Sequence, residues 1–214
     1  MPERGGRNNI MAETREFRTE VRQLLNLMIN SLYSNRDIFL RELIANAADA
    51  IDKARFESLT RPELVREWSI RIEADKDKKL LRISDNGIGM NEDEVVENIG
   101  TIAKSGTRAF LKLLEEQGKT GVDAPELIGQ FGVGFYSAFM VADEVTVETR
   151  RYGEDTGVKW QSTGADGYTV ADMDKPDIGT RVVMHLKSDT DEEIYSSYLE
   201  VWKIKALIKK YSDY

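Results

Sequence analysis

A chain of 214 residues suits one large domain or two small ones, and 41% hydrophobic with 32% charged side chains excludes a disordered, collagen-like or membrane-bundle protein. Thirty basic side chains against thirty-eight acidic ones leave a formal charge of −8, so the average field repels nucleic acid and anionic membranes, and a phosphate-bearing ligand needs a local site. With no cysteine and one histidine, His185, the chain excludes disulfides, thiolate zinc sites, thiol nucleophiles, His-based metal clusters and a Ser-His-Asp triad of its own.

The first twelve residues are polar, rich in Gly and Arg and without an apolar h-region; they read as a flexible leader, neither signal peptide nor anchor. From Glu13 onward Val21, Leu24, Leu25, Met28, Ile29 and Leu32 recur at helical spacing, predicting a first helix, and a second helical pattern runs from Asp37 to Ser58. The uncharged run from Gln23 to Asn35 is too short and too polar to span a bilayer, which takes about 20 apolar residues. Ser69 to Asp75 and Lys79 to Ser84 then alternate around an Asp/Lys turn, predicting a hairpin. Seven glycines from Gly100 to Gly134, around a short helical stretch at Phe110 to Glu116, predict a segment able to move as a lid. A helix is expected from Val133 to Val141. Strands are expected at Glu144 to Arg150, Val158 to Thr163, Gly167 to Ala171 and Thr180 to Leu186, and a closing helix at Glu192 to Lys210. The elements predict an α+β fold, a mostly antiparallel sheet covered on one face by helices, with residues 13–214 forming one domain.

Two phosphate-binding patterns fail on inspection. Gly118-Lys119-Thr120 resembles the end of a P-loop, but Leu113 stands where the motif needs its first glycine. Gly129, Gly132 and Gly134 run in the reverse order of the dinucleotide fingerprint and enter no βαβ unit. His185 lies in an apolar strand pattern and reads as structural.

The second helix carries more. At about 100° per residue, Asn46, Asp49 and Lys53 fall within about 40° of Glu42, a narrow polar stripe. Leu40, Leu43, Ile44, Ala47 and Ile51 make the face for the sheet, and Arg41 and Asp52 read as a solvent face. Directly after a strand comes Ser84-Asp85-Asn86-Gly87-Ile88-Gly89-Met90. A strand-end carboxylate can accept from an exocyclic amine and so tell adenine from guanine, two glycines let backbone approach a flat ligand, and a methionine suits packing on a ring. Gly129 to Phe135 then leads into a helix whose N-terminal amides could hold phosphates.

Glu42-Leu-Ile-Ala-Asn46-Ala-Ala-Asp49, Asp85-Asn-Gly-Ile-Gly89-Met90, Gly100-Thr-Ile-Ala-Lys104-Ser-Gly and Ile128-Gly-Gln-Phe-Gly-Val-Gly-Phe135-Tyr-Ser together resemble the ATP-binding domain of the heat-shock-protein-90 chaperones, bacterial type. The first, second and fourth segments also mark gyrase B, MutL-type repair proteins and sensor histidine kinases. The resemblance implies a Bergerat fold, a two-layer α/β sandwich with a left-handed β-α-β nucleotide pocket for ATP or ADP with Mg2+. It implies Glu42 as the general base that activates water, Asn46 as the magnesium ligand and Asp85 as the reader of the adenine amine. Asp49, Gly89, Met90, Asn98, Phe135 and Thr180 would complete the pocket, with Lys104, Gly132 and Gly134 as phosphate contacts on the lid. It further implies middle and C-terminal domains absent from this chain, weak turnover by this domain alone, and a monomer that becomes a homodimer in full length. Client proteins and co-chaperones, a stress-response role in the cytoplasm, and no membrane or nucleic-acid partner belong to the same expectation. Two other readings stay open: a histidine kinase catalytic domain, against which Glu42 argues, and a module in which ATP is only a conformational ligand.

Overall fold

The computed structural model describes residues 12–17, 25, 36–100, 134–165 and 167–211, and in these seven strands form one antiparallel sheet. The strands are β1 (Glu13–Glu16), β2 (Ile70–Asp75), β3 (Leu80–Asp85), β4 (Ala142–Arg150), β5 (Gly157–Ser162), β6 (Gly167–Met173) and β7 (Gly179–Leu186). Their order is β1-β6-β5-β4-β7-β3-β2. The last strand inserts between β4 and β3, so these two run parallel across it and the chain between them must cross from one to the other. Register does the functional work: Thr180 on β7 stands opposite Asp85 on β3 and opposite Thr149 on β4, placing all three in one row at the strand ends.

One helix sets the second layer. α1 (Ile38–Ser58) contains no Gly or Pro, and its buried Phe39, Leu40, Leu43, Ala47, Ile51 and Ala54 pack on the sheet and on the segment before β4. In β3 the alternation is plain: Leu81 and Ile83 are buried beneath the helices while Arg82 and Ser84 face the other, polar side of the sheet. Ile44, expected on the sheet face, is only partly buried. No helix among the described residues is long and apolar enough to cross a membrane.

Four expectations change. Glu13–Glu16 is an edge strand paired with β6, not the start of a helix; only Leu25 of the predicted first helix lies among the described residues, and it is helical. Where an α-helix was expected from Val133, Gly134–Met140 is a buried 3-10 segment. Its Ser137 hydroxyl donates to the Gly134 carbonyl at 2.5 Å, a local bond that competes with regular helix pairing. The closing helix is broken at extended Glu200 into a 3-10 turn (Tyr195–Leu199) and an α-helix, Val201–Tyr211. Buried Tyr195, Tyr198 and Leu199 would lie about 150° from buried Ile204 and Leu207 on one continuous helix, and the break brings both sets inward. The short helix α2 (Glu92–Val95), continued by a π-helical turn at Val96–Gly100, had no counterpart in the sequence reading. The predicted leader and the helical stretch at Phe110 to Glu116 lie outside the described residues.

Candidate functional site

Between α1 and the sheet lies a cavity of about 460 Å³, within the ordinary range for a small-molecule site. The polar stripe of α1, from Glu42 through Asn46 and Asp49 to Lys53, forms one wall. Asp85 and Thr180 face it from the strand ends, with Ile83, Val147 and Val182 as an apolar floor, and Gly89, Met90, Asn98, Gly134 and Phe135 close the remaining sides. Ten of the twelve residues singled out from sequence therefore line this single space. Lys104 and Gly132, the other two, lie outside the described residues.

Asp85 sits at the foot of the cavity, where burial pushes its carboxyl pKa up to about 6 despite the bond that its Oδ1 accepts from the Gly87 amide at 2.9 Å. Behind it Thr180, expected in the pocket, pairs with a hydroxyl that sequence reading missed. Thr149, fully buried, accepts from the Met90 amide at 2.9 Å and lies 3.0 Å from the Thr180 hydroxyl and 3.3 Å from the Gly179 carbonyl. The one Thr149 proton can serve only one of those two oxygens, so Thr149 links the Met90 loop to the polarity of the hydroxyl that Thr180 offers the cavity. Only strand register brings these groups together; nothing local in the sequence signals it.

At the opposite end the buried Glu42 carboxylate receives two guanidinium bonds from Arg41, at 3.0 and 2.7 Å to Oε1. This corrects the reading of Arg41 as solvent face: the side chain folds back onto its neighbour and over the Tyr211 ring. The other oxygen, Oε2, abuts Gly134, where an added Cβ would come within 2.3 Å of it. Any side chain at 134 would push the carboxylate aside. Asn46, one turn further along α1, has no hydrogen-bond partner for its carboxamide among the described residues, and it points at the same space.

The glycines of the Asp85–Met90 segment have a reason beyond the one expected. A Cβ on Gly87 would meet the Ala50 carbonyl carbon at 2.5 Å, and one on Gly89, at φ +71°, would meet the Arg150 carbonyl oxygen at 1.9 Å. Both let protein backbone approach protein backbone, fixing the loop against α1 and the end of β4. Backbone bonds from Ile88 to Ala50 and from Tyr152 to Ile88 seal those contacts. Glu94 and Arg151 also line the cavity. The Asn91-x-x-Glu94 capping box was a legible signal for the first; the second had none.

A family model described as histidine kinase-, DNA gyrase B- and HSP90-like ATPase matches residues 33–190, which contain all of these cavity residues. The chain is 56% identical over 207 residues to a protein of Serratia proteamaculans named chaperone protein HtpG, covering 94% of this chain and 32% of that one. Proteins of the same name from Pectobacterium atrosepticum and Yersinia pestis are each 55% identical over the same shares. The chain thus spans about a third of the length of the curated relatives it matches.

Proposed function

This chain belongs to the histidine kinase-, DNA gyrase B- and HSP90-like ATPase family, and we propose that its cavity binds ATP and ADP with the adenine at Asp85 and the phosphates toward Glu42. The observation that carries this is the pairing of opposed chemistries across one space. A half-buried carboxylate beside a threonine hydroxyl stands at the apolar strand-end side, and a fully buried one stands beside a bare glycine on the helix side. An ionised Asp85 accepts from the adenine amine, where guanine would present an oxygen and leave an unrelieved repulsion. Thr180 supplies the second polar contact to the base edge, Gly89 and Met90 cover the ring, and Asp49, Asn98 and Phe135 complete the enclosure.

Glu42 takes a proton from the water that attacks the γ-phosphorus, its carboxylate oriented by Arg41. Phosphoryl transfer depends chiefly on placement and charge neutralisation, so a fixed base and fixed donors are what the protein must supply. Magnesium, when bound, would supply positive charge to offset that of the phosphates. Asn46 fits as its protein ligand, because the carboxamide is unclaimed within the described residues and Mg2+ takes few protein ligands besides water and phosphate. Lys104, Gly132 and Gly134 are assigned to the phosphates. In the longer parent protein we assign this ATPase to a molecular chaperone of the cytoplasm that works as a homodimer on client proteins with co-chaperones, nucleotide closing the glycine-rich segment after Gly100. The relatives named chaperone protein HtpG support this reading.

Calorimetric titration of ADP and magnesium into the protein tests the assignment. Asp85→Asn puts a donor against the adenine amine and is expected to weaken binding by roughly tenfold or more, the cost of a buried mismatch; undiminished affinity would remove Asp85 from the site. Glu42→Ala in the longer parent protein is expected to keep ADP affinity and abolish ATP hydrolysis, and unchanged hydrolysis would remove Glu42 from its role.

A further inference from the structure

Arg151, at the end of β4, lines both the nucleotide cavity and a second, outer space of about 490 Å³ bordered by Phe56 and Glu57 at the end of α1. Its guanidinium donates to Glu94 Oε1 at 2.6 Å and reaches Glu57 Oε1 at 3.4 Å, tying three elements together at the cavity mouth. Glu94 is already committed on its other oxygen, which accepts from the Asn91 amide at 3.0 Å in the capping box that starts α2. At its far end the same helical segment is held by the Tyr136 hydroxyl, which donates to the Ile99 carbonyl. Asn98 sits between these two anchors and faces the cavity.

We infer that Arg151 is a positioning residue for nucleotide binding: through Glu94 it pins the 92–100 helical segment so that Asn98 and Ile99 hold their places on the cavity wall. This rests on the nucleotide reading of the cavity. Both side chains of the pair are partly exposed, and such ion pairs contribute little to global stability. A wall displaced by even 1 Å, however, changes binding geometry severely. Ligand affinity should therefore respond more than folding does.

The experiment is a double-mutant cycle with ADP and magnesium as probe, on the wild type, Arg151→Met, Glu94→Gln and the double variant, with thermal unfolding in parallel. Glu94→Gln keeps an oxygen for the Asn91 amide while breaking the charge pair. Wild-type binding comes first, and its absence would sink the nucleotide reading itself. Given wild-type binding, each single variant is expected to lose about threefold to fivefold in affinity, with the double no more than about twofold worse than either. The unfolding temperature should move by only a few degrees. Unchanged affinity in the single variants, or additive losses, would each overturn the positioning role, and tighter binding by Glu94→Gln would leave Arg151 acting only by its charge. Should Arg151→Met fail to fold, Arg151→Lys with Glu94→Gln carries the same cycle.

Discussion

At Asp85 burial raises the carboxyl pKa from 3.8 to about 6, so ionisation costs more in the empty fold than in the unfolded chain. Since the folded value lies above the unfolded one, this group's contribution to stability is complete below about 3.8 and is lost as the pH rises through about 6. Asp85→Asn is therefore expected to stabilise the ligand-free protein above pH 7 by on the order of 1–3 kcal/mol, with the gain shrinking toward pH 4, even as it weakens ADP binding. Denaturant unfolding at several pH values checks this; equal stability at pH 8 would mean that the carboxyl is better solvated than its surroundings indicate. Thr149→Val leaves the buried Met90 amide without its acceptor and is expected to cost about 1–3 kcal/mol while weakening ADP binding. Retained stability and affinity would show that Thr149 is only filler. Asp85, a strand-end acid in a distinctive run, was legible in the sequence. Thr149 was not, because its role comes from the β4–β7 register.

The element that makes the cavity is α1, and its helical periodicity was readable residue by residue: one face for the sheet, one stripe for the site. What periodicity could not give was how the helix is fixed. Gly87 lies against the backbone of α1 at Ala50, and the Asp85–Met90 loop is clamped between that helix and the end of β4. Gly87→Ala forces the two backbones apart and is expected to destabilise by about 1–3 kcal/mol, with lower ADP affinity because Asp85 and Met90 move with the loop. An unshifted denaturation midpoint would contradict the clamp. The 3-10 geometry of Gly134–Met140 and the break at Glu200 escaped the sequence for a similar reason. Their apolar residues suggest helix, and only the need to bury Tyr136, Phe139, Tyr198 and Ile204 at once decides the path.

Across the whole molecule the edge strand β1 is bound into the core by aromatic contacts. Phe17 lies 5.3 Å from the Tyr168 ring and 6.4 Å from those of Trp160 and Tyr136; Trp160 in turn meets the cavity residue Phe135 at 5.5 Å. Phe17→Ala, though near the start of the chain, is expected to cost about 3–5 kcal/mol, whereas Phe56→Ala, at 76% exposed, should stay within about 0.5 kcal/mol. Comparable effects in chemical denaturation would contradict the packing described. The antiparallel sheet with helices on one face could be read from strand spacing and turn residues, while the insertion of β7 between β3 and β4 is a long-range pairing that no local pattern encodes. That insertion sets Asp85, Thr180 and Thr149 side by side and so makes the strand-end wall of the cavity. The most direct measurement is a crystal structure of the protein with ADP and magnesium: the adenine amine should lie about 3 Å from an Asp85 carboxylate oxygen, with the phosphates directed toward Glu42. A nucleotide bound with its base elsewhere, or with its phosphates at the strand-end side, would contradict the central claim.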